Sequence, residues 1–290
     1  MHRRNAIRLM SLMPLGAALD LRALARIADD LPATPPMPVL FLGHGSPMNA
    51  LEDNPFSQGW RALGKDLPKP VSILCISAHW ETRGTYVTGM VEPRTIHDFG
   101  GFPQELFAVR YPAPGSAALA QSTQQAVTSA HIGIDHQWGL DHGAWSVLVH
   151  LFPKADVPVV QLSLDRGLSP REHYELAREL AVLRSKGVLI IGSGNMVHNL
   201  GVLNWNDPDG GYDWAIEAGT RMKELIVSNE HAQLVDYSAQ GRAFQLSIPT
   251  PEHYLPLLYT LGLKTVNEPV SLFNDRTVMG SIAMTSVRIG

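Results

Sequence analysis

Short, uninterrupted apolar runs recur along the chain at wide intervals. Val39–Leu42, Val71–Ser77, Val157–Leu164 and Gly187–Ile191 show no polar alternation, the pattern of strands covered on both faces, as in a parallel sheet. Thr85–Met90 has strand composition as well. Between the runs the period becomes helical, over Pro55–Leu63, Ser116–Ala130, Gly143–Leu151, Pro170–Leu183 and Tyr212–Val227. The first of these follows Asn54, a good N-cap, and places proline at the first helical position. Strands alternating with helices predict an α/β fold: a single layered domain, 37–290, with a central, largely parallel (mixed) sheet flanked by helices. The end of the chain differs. Thr265–Phe273 and Thr277–Ile289 have strand composition with no convincing helix between them, which predicts a hairpin or antiparallel edge strands.

Residues 1–36 form a separate N-terminal extension. Arg3 and Arg4 precede the apolar stretch Ala6–Ala18. Leu9, Leu12, Leu15, Leu21, Leu24 and Ile27 fall mostly at helical spacing. Arg8 interrupts the stretch, and Asp20, Arg22 and Arg26 follow closely, so it makes a poor core for a twin-arginine export signal. An amphipathic helix is the preferred reading and a degenerate export signal the weaker one; the location expected is accordingly cytoplasmic. Four prolines, Pro32, Pro35, Pro36 and Pro38, then lead into the first strand. No run of about 18 apolar residues exists, so no membrane-spanning helix is predicted.

Composition narrows the function. Hydrophobic residues make up 45% and charged residues 17%, which excludes a disordered chain. A net charge of −4 gives no electrostatic footprint for nucleic acid. The single cysteine, Cys75, rules out a disulfide within the chain and reads as a small buried hydrophobe. Twelve histidines raise the odds of a metal site.

Four of them share a topological position. Gly43-His44-Gly45 follows the first run, Ala78-His79-Trp80 the second, and Gly192-Ser193-Gly194 with His198 the run ending at Ile191. Leu246–Thr250 leads into Pro251-Glu252-His253 ahead of a late helix. Ligands of open α/β sheets bind outside the carboxyl ends of the strands, so these histidines would converge on one crevice. Singly, each reads better as a turn or core residue than as a functional one. Together, His44, His79 and His253 make a three-ligand metal site with open positions, as catalytic sites have. Glu252 is an alternative ligand, but adjacent residues on a helix point about 100° apart, so Glu252 and His253 would not both reach one ion. His198 is assigned acid/base work, an ordinary histidine pKa near about 6.5 suiting it. Asp141-His142-Gly143 opens a helix; His142 would contact substrate, and Asp141 would either cap the helix or orient a histidine. His2, His97, His131, His136, His150, His173 and His231 read as surface or core residues. No Gly-x-Ser-x-Gly elbow supports Ser46 or Ser193 as a nucleophile, and the loop at Gly192 lacks the Lys-Ser/Thr of a P-loop. Trp80, Phe102, Trp145 and Tyr254 would line a pocket or pack in the core, the core being the commoner fate.

Six ordered segments carry a resemblance: Phe41-Leu42-Gly43-His44-Gly45-Ser46-Pro47-Met48, Ser77-Ala78-His79-Trp80, Tyr111-Pro112-Ala113-Pro114-Gly115, Leu140-Asp141-His142-Gly143-Ala144-Trp145, Gly192-Ser193-Gly194-Asn195-Met196-Val197-His198-Asn199 and Pro251-Glu252-His253-Tyr254. With them the chain resembles the class III extradiol ring-cleaving dioxygenases (the LigB-like superfamily), and within it the 4,5-DOPA extradiol dioxygenase family. The resemblance covers about residues 37–290. It implies metal ligation by His44, His79 and His253, acid/base catalysis by His198 and substrate contact by His142. It also implies one divalent metal per chain, Fe(II) for turnover or Zn(II) as in close relatives. The substrates implied are dioxygen and a catechol such as L-DOPA, opened by 4,5-cleavage to a seco-DOPA or muconic semialdehyde. Three histidines depart from the wider superfamily, whose third ligand is usually glutamate. Two other readings fit the same residues: a zinc hydrolase that activates water, and a non-catalytic metal- or partner-binding protein like the Memo-like proteins.

Overall fold

A computed structural model describes residues 33–290; the helix or export signal expected before Leu31 lies outside them. Ten strands are present among the described residues: β1 (Val39–Gly43), β2 (Ser72–Thr82), β3 (Thr85–Thr88), β4 (Ile132–Asp135), β5 (Val159–Asp165), β6 (Val188–Gly194), β7 (Val270–Phe273), β8 (Thr277–Val278), β9 (Ile282–Ala283) and β10 (Ser286–Ile289). Eight of them form one sheet in the order β4-β3-β5-β2-β6-β1-β10-β7, and β8 and β9 form a small hairpin. The centre, β5-β2-β6-β1, is parallel. The expected C-terminal strands close one edge, β10 running antiparallel to both β1 and β7. At the other edge β3 runs antiparallel to β5 and parallel to β4.

Alternation along the central strands builds two cores. Val39, Phe41, Leu74, Ile76, Val188 and Ile190 face one side, with the helices Pro170–Glu179, Asp213–Val227 and Leu255–Gly262. Leu40, Leu42, Ile73, Cys75, Leu189 and Ile191 face the other, with the helices Pro55–Asp66 and His142–Leu151. Burial on both faces is why these strands read as unbroken apolar runs. Trp60 and Trp145 are fully buried in the second core; truncating either to alanine would cost about 3–5 kcal/mol. Asn54 accepts from the backbone of Phe56 and Ser57 at the start of Pro55–Asp66, completing a capping box.

Three expectations are corrected. The strand is longer than the apolar run Val71–Ser77 that marks it: β2 continues to Thr82, and its register against β5 breaks between Ile76 and Glu81. His253 does not follow a strand, as the position shared with the other histidines implied: the stretch before it is the helix Arg242–Ser247 and a turn. The helix expected over Pro170–Leu183 divides at Leu180 into Pro170–Glu179 and Ala181–Arg184. Among the described residues no helix is long and apolar enough to cross a membrane.

Candidate active site

The carboxyl ends of β1 and β6 lie side by side, Gly43 opposite Gly194, and the site is built on this pair. His44 follows β1 directly, its backbone N–H donating to Gly194 O at 3.1 Å. Gly45 then turns with φ +60, a left-handed conformation that favours glycine. His79 projects from the part of β2 beyond its pairing with β6, where the register shift against β5 begins. His142 is the first residue of the helix His142–Leu151, and Asp141 is its N-cap, accepting from Ala144 N. His253 lies in the turn before Leu255–Gly262, and its carbonyl accepts from Asn195 N at 2.9 Å. A side chain at Gly194 would strike that carbonyl, so glycine is what lets the turn approach the end of β6. His198 is held by its backbone N–H to Ser247 O, 2.9 Å.

The five imidazoles therefore occupy one pocket. Ring centroids of His44 and His79 are 5.1 Å apart, His44 and His253 5.4 Å, and His79 and His253 5.0 Å. Three imidazoles bound to one tetrahedral ion at a metal–nitrogen distance of about 2.1 Å have centroids about 5 Å apart. The ring separations within the expected trio are of that size. Two other pairs are closer: His79 and His142 at 3.8 Å, and His198 stacked on His253 at 3.5 Å with an interplanar angle of 7°. The nitrogen positions group somewhat differently. Ligating atoms of His44, His79 and His142 lie within 4.8 Å of one another, and so do those of His198, Glu252 and His253.

Hydrogen bonds decide which nitrogen each ring presents. The Ser193 hydroxyl donates to Gly143 O at 2.5 Å, so its oxygen is left to accept from His44 Nδ1, 3.0 Å away. His253 Nδ1 faces Glu252 Oε1 at 3.1 Å, and the same oxygen accepts from the Thr250 hydroxyl at 2.9 Å. Asp98 serves two rings: its Oδ2 lies 2.9 Å from His142 Nδ1 and 3.3 Å from His79 Nδ1. Its Oδ1 accepts the His142 backbone N–H, 2.9 Å. With the proton on Nδ1, His44 and His253 each face a hydrogen-bond acceptor and His79 lies beside the Asp98 carboxylate, which leaves Nε2 free, the arrangement metal-binding histidines have. Nε2 of His44 and Nε2 of His79 are 3.1 Å apart, their lone pairs sharing one space.

Burial sets the charges. Desolvation, reinforced by the neighbouring imidazoles, holds His44 and His79 well below the ordinary histidine value. Burial also lowers His253, against the pull of Glu252. His198 is pushed down to about 3, by burial first and by His253 second, so the ordinary value expected for it does not survive in the fold. Burial opposes ionisation of Glu252, but hydrogen bonds led by His253 hold it at about 2. Asp98 is likewise kept below the usual carboxylate range, its burial outweighed by the side chain and backbone of His142. Four neutral imidazoles beside two carboxylates form a donor set suited to a divalent cation.

The remaining site expectations divide. Asp141 caps its helix and binds Ser77, Gln161 and Trp138, and it hydrogen-bonds no histidine; Asp98, which the sequence reading passed over, is the carboxylate that does. Glu252 stands behind His253. Of the four aromatic residues, Phe102 lines the pocket. Trp80 stacks on Trp138, and Trp145 and Tyr254 are core residues with hydrogen bonds to Ile96 O and Leu234 O. The cavity is about 720 Å³. Phe99 and Phe102 stand near its histidine end, and Leu200, Leu203, Trp205, Val278 and Met279 form an outer wall.

Residues 38–265 match the family described as "Catalytic LigB subunit of aromatic ring-opening dioxygenase". A protein of Escherichia coli (strain K12) named "4,5-DOPA dioxygenase extradiol" is 46% identical over 91% of this chain and 98% of its own. A Beta vulgaris protein of the same name is 36% identical over 81% of this chain and 90% of its own. The crystal structure of an uncharacterised protein from Escherichia coli K12 superposes with a TM-score of 0.78 at 43% identity, covering 88% of this chain and all of that one.

Proposed function

Since the chain belongs to the family of the catalytic LigB subunit of aromatic ring-opening dioxygenases and is an extradiol ring-cleaving dioxygenase, we propose that it opens the ring of a catechol such as L-DOPA by 4,5-cleavage. In this reading one divalent metal is held by His44, His79 and His253, with Fe(II) the metal of turnover because zinc has no redox chemistry. The observation that carries the metal assignment is the set of three ring separations, 5.0, 5.1 and 5.4 Å, together with an acceptor behind every Nδ1.

A divalent metal held by His44, His79 and His253 would supply Lewis acidity and a template for the diol and dioxygen. The chain does the rest. His198 is neutral, so an imidazole nitrogen of His198 takes a phenolic proton as the diol binds. The resulting imidazolium is stacked on His253 and surrounded by imidazoles. Burial makes His198 a weak base, so the transfer would rely on the acidity that a metal-held diol gains. His142, its Nδ1 committed to Asp98, offers Nε2 to the substrate. Phe99 and Phe102 cover the aromatic ring and exclude water. Both atoms of dioxygen enter the product, a hydroxymuconic semialdehyde, and for L-DOPA a seco-DOPA.

Oxygen uptake by anaerobically Fe(II)-loaded protein, given L-DOPA and a panel of catechols and read with visible absorbance, tests this. Uptake matched by a new yellow product is the expected result. Bound iron without uptake on any catechol would sink it.

A further inference from the structure

Away from the histidines, one cation faces the same cavity. Among the described residues Arg276 is the only lysine or arginine lining it, set with its partner Asp209 beside the apolar side chains of Leu203, Trp205, Val278 and Met279. One guanidinium nitrogen, Nη2, donates to Asp209 Oδ1 at 3.1 Å, and this is the only side-chain hydrogen bond of Arg276 among the described residues. A guanidinium carries five N–H donors in a planar fork, so most of the fork remains open. Arg276 is also the less exposed partner, at 46% against 78% for Asp209.

The pair is built in by backbone bonds. Arg276 N donates to Asn274 O and Arg276 O accepts from Met284 N, each at 2.8 Å. The segment bearing Asp209 is stitched to the one after Arg276: Met279 N to Pro208 O at 2.9 Å, Gly280 N to Gly210 O at 2.8 Å, and Tyr212 N to Gly280 O at 2.8 Å. The guanidinium is thus presented at a fixed place on the outer wall. A cavity of about 720 Å³ belongs to the range that encloses drug-sized ligands, more than a bare dihydroxybenzene fills. With the diol at the histidines, the space left runs along apolar wall and reaches a cation.

We propose that Arg276 binds the carboxylate at the end of the arm that a substituted catechol carries, which makes it a residue that selects among substrates of the site. This rests on the ring-opening reading of the histidine site. The carboxylate would take two parallel N–H bonds from the fork, the geometry for which arginine is best suited, while Asp209 keeps its single bond.

Equilibrium dialysis under anaerobic conditions, on the protein as isolated with its metal, tests the assignment with dihydroxyphenylpropionate and its methyl ester. The wild type should bind the acid about tenfold more tightly than the ester, the size expected of a charge-assisted contact. R276Q should bring the two affinities to within about twofold of each other, and R276K should restore part of the preference. Equal affinities in the wild type, or a preference that R276Q leaves in place, would overturn the proposal. Oxygen uptake on the same two compounds reads the ring-opening step separately: no uptake with either would sink that reading while the affinity ratio still decides the role of Arg276.

Discussion

The cavity has two ends, and they are made in opposite ways. At the histidine end every imidazole with a proposed ligand role is backed by a named acceptor, Ser193, Asp98 or Glu252. Two of the three ligand candidates sit on central strands or their immediate ends, and the third is in a turn pinned to β6. At the outer wall Leu200 and Trp205 are exposed, the chain runs through a short 3-10 turn, loops and the small β8–β9 hairpin, and the one ion pair there among the described residues, Arg276 with Asp209, is a single half-exposed contact. Groups that must place reacting atoms are held by elements that cannot shift without disturbing the core. Groups that select among substituents sit where sequence can change at little cost to folding.

If that contrast is right, changes at the two ends should differ in kind as well as in size. Replacing His253 by alanine removes a ligand candidate and the stacking partner of His198. Metal content measured on the purified variant should fall to a small fraction of the wild type, and oxygen uptake to background. A variant that kept its metal would move the third ligand to His142, which shares the tight nitrogen cluster with His44 and His79.

Acid should act on the histidine end next most strongly, once the metal is chelated. His44, His79, His253 and His198 are held below the ordinary value by burial. The unfolded chain takes up these protons near about pH 6.5, whereas the folded chain resists. Stability therefore rises with pH and is lost as pH falls below about 6.5, down to about 3 in the case of His198. Each such proton contributes a slope of about 1.4 kcal/mol per pH unit. Urea midpoints of the chelated protein between about pH 8 and pH 5 check this; a flat series would mean that the folded site accepts protons freely. Asp98→Asn is a smaller test, since it keeps the shape and removes the charge behind His79 and His142. Metal affinity, measured by competition with a chelator, should weaken about 10–100-fold.

The same contrast explains what was legible in the sequence. β1, β2, β5 and β6 are buried on both faces, so their residues form apolar runs, and His44, His79 and His198 could be placed by their distance from those runs. His253 was found through its neighbours Pro251 and Glu252, although the segment before it proved helical. Asp98 lies in the irregular stretch between Val91 and Pro103, where no period marks any residue, and its role depends on a helix start some forty positions later. Asp141 carried the stronger local signal and turned out to be spent on its helix cap, Ser77 and Gln161. The low value of His198 reflects burial by residues distant in sequence. β4 was missed because it is a four-residue edge strand containing Gly133. The outer wall was almost wholly illegible, since Leu200, Trp205 and Met279 lie in short turns and loops with no period and are brought together by long-range backbone bonds.

The smallest effect should come from that wall. Trp205 lines the cavity yet is 76% exposed, so it has little core to lose and touches none of the histidines' acceptors. Trp205→Ala removes an apolar surface that a substrate arm would cover, while metal binding and proton transfer stay with residues at the other end. The expected outcome is a rise of about threefold to tenfold in KM for substituted catechols, the range of about 1 kcal/mol in binding, with metal content and melting temperature as in the wild type. The division between the ends would fail if Trp205→Ala lowered kcat for an unsubstituted catechol while leaving its KM unchanged. That pattern is the mark of an interaction made in the transition state, and it would mean that the wall closes over the reacting ring rather than over its substituent.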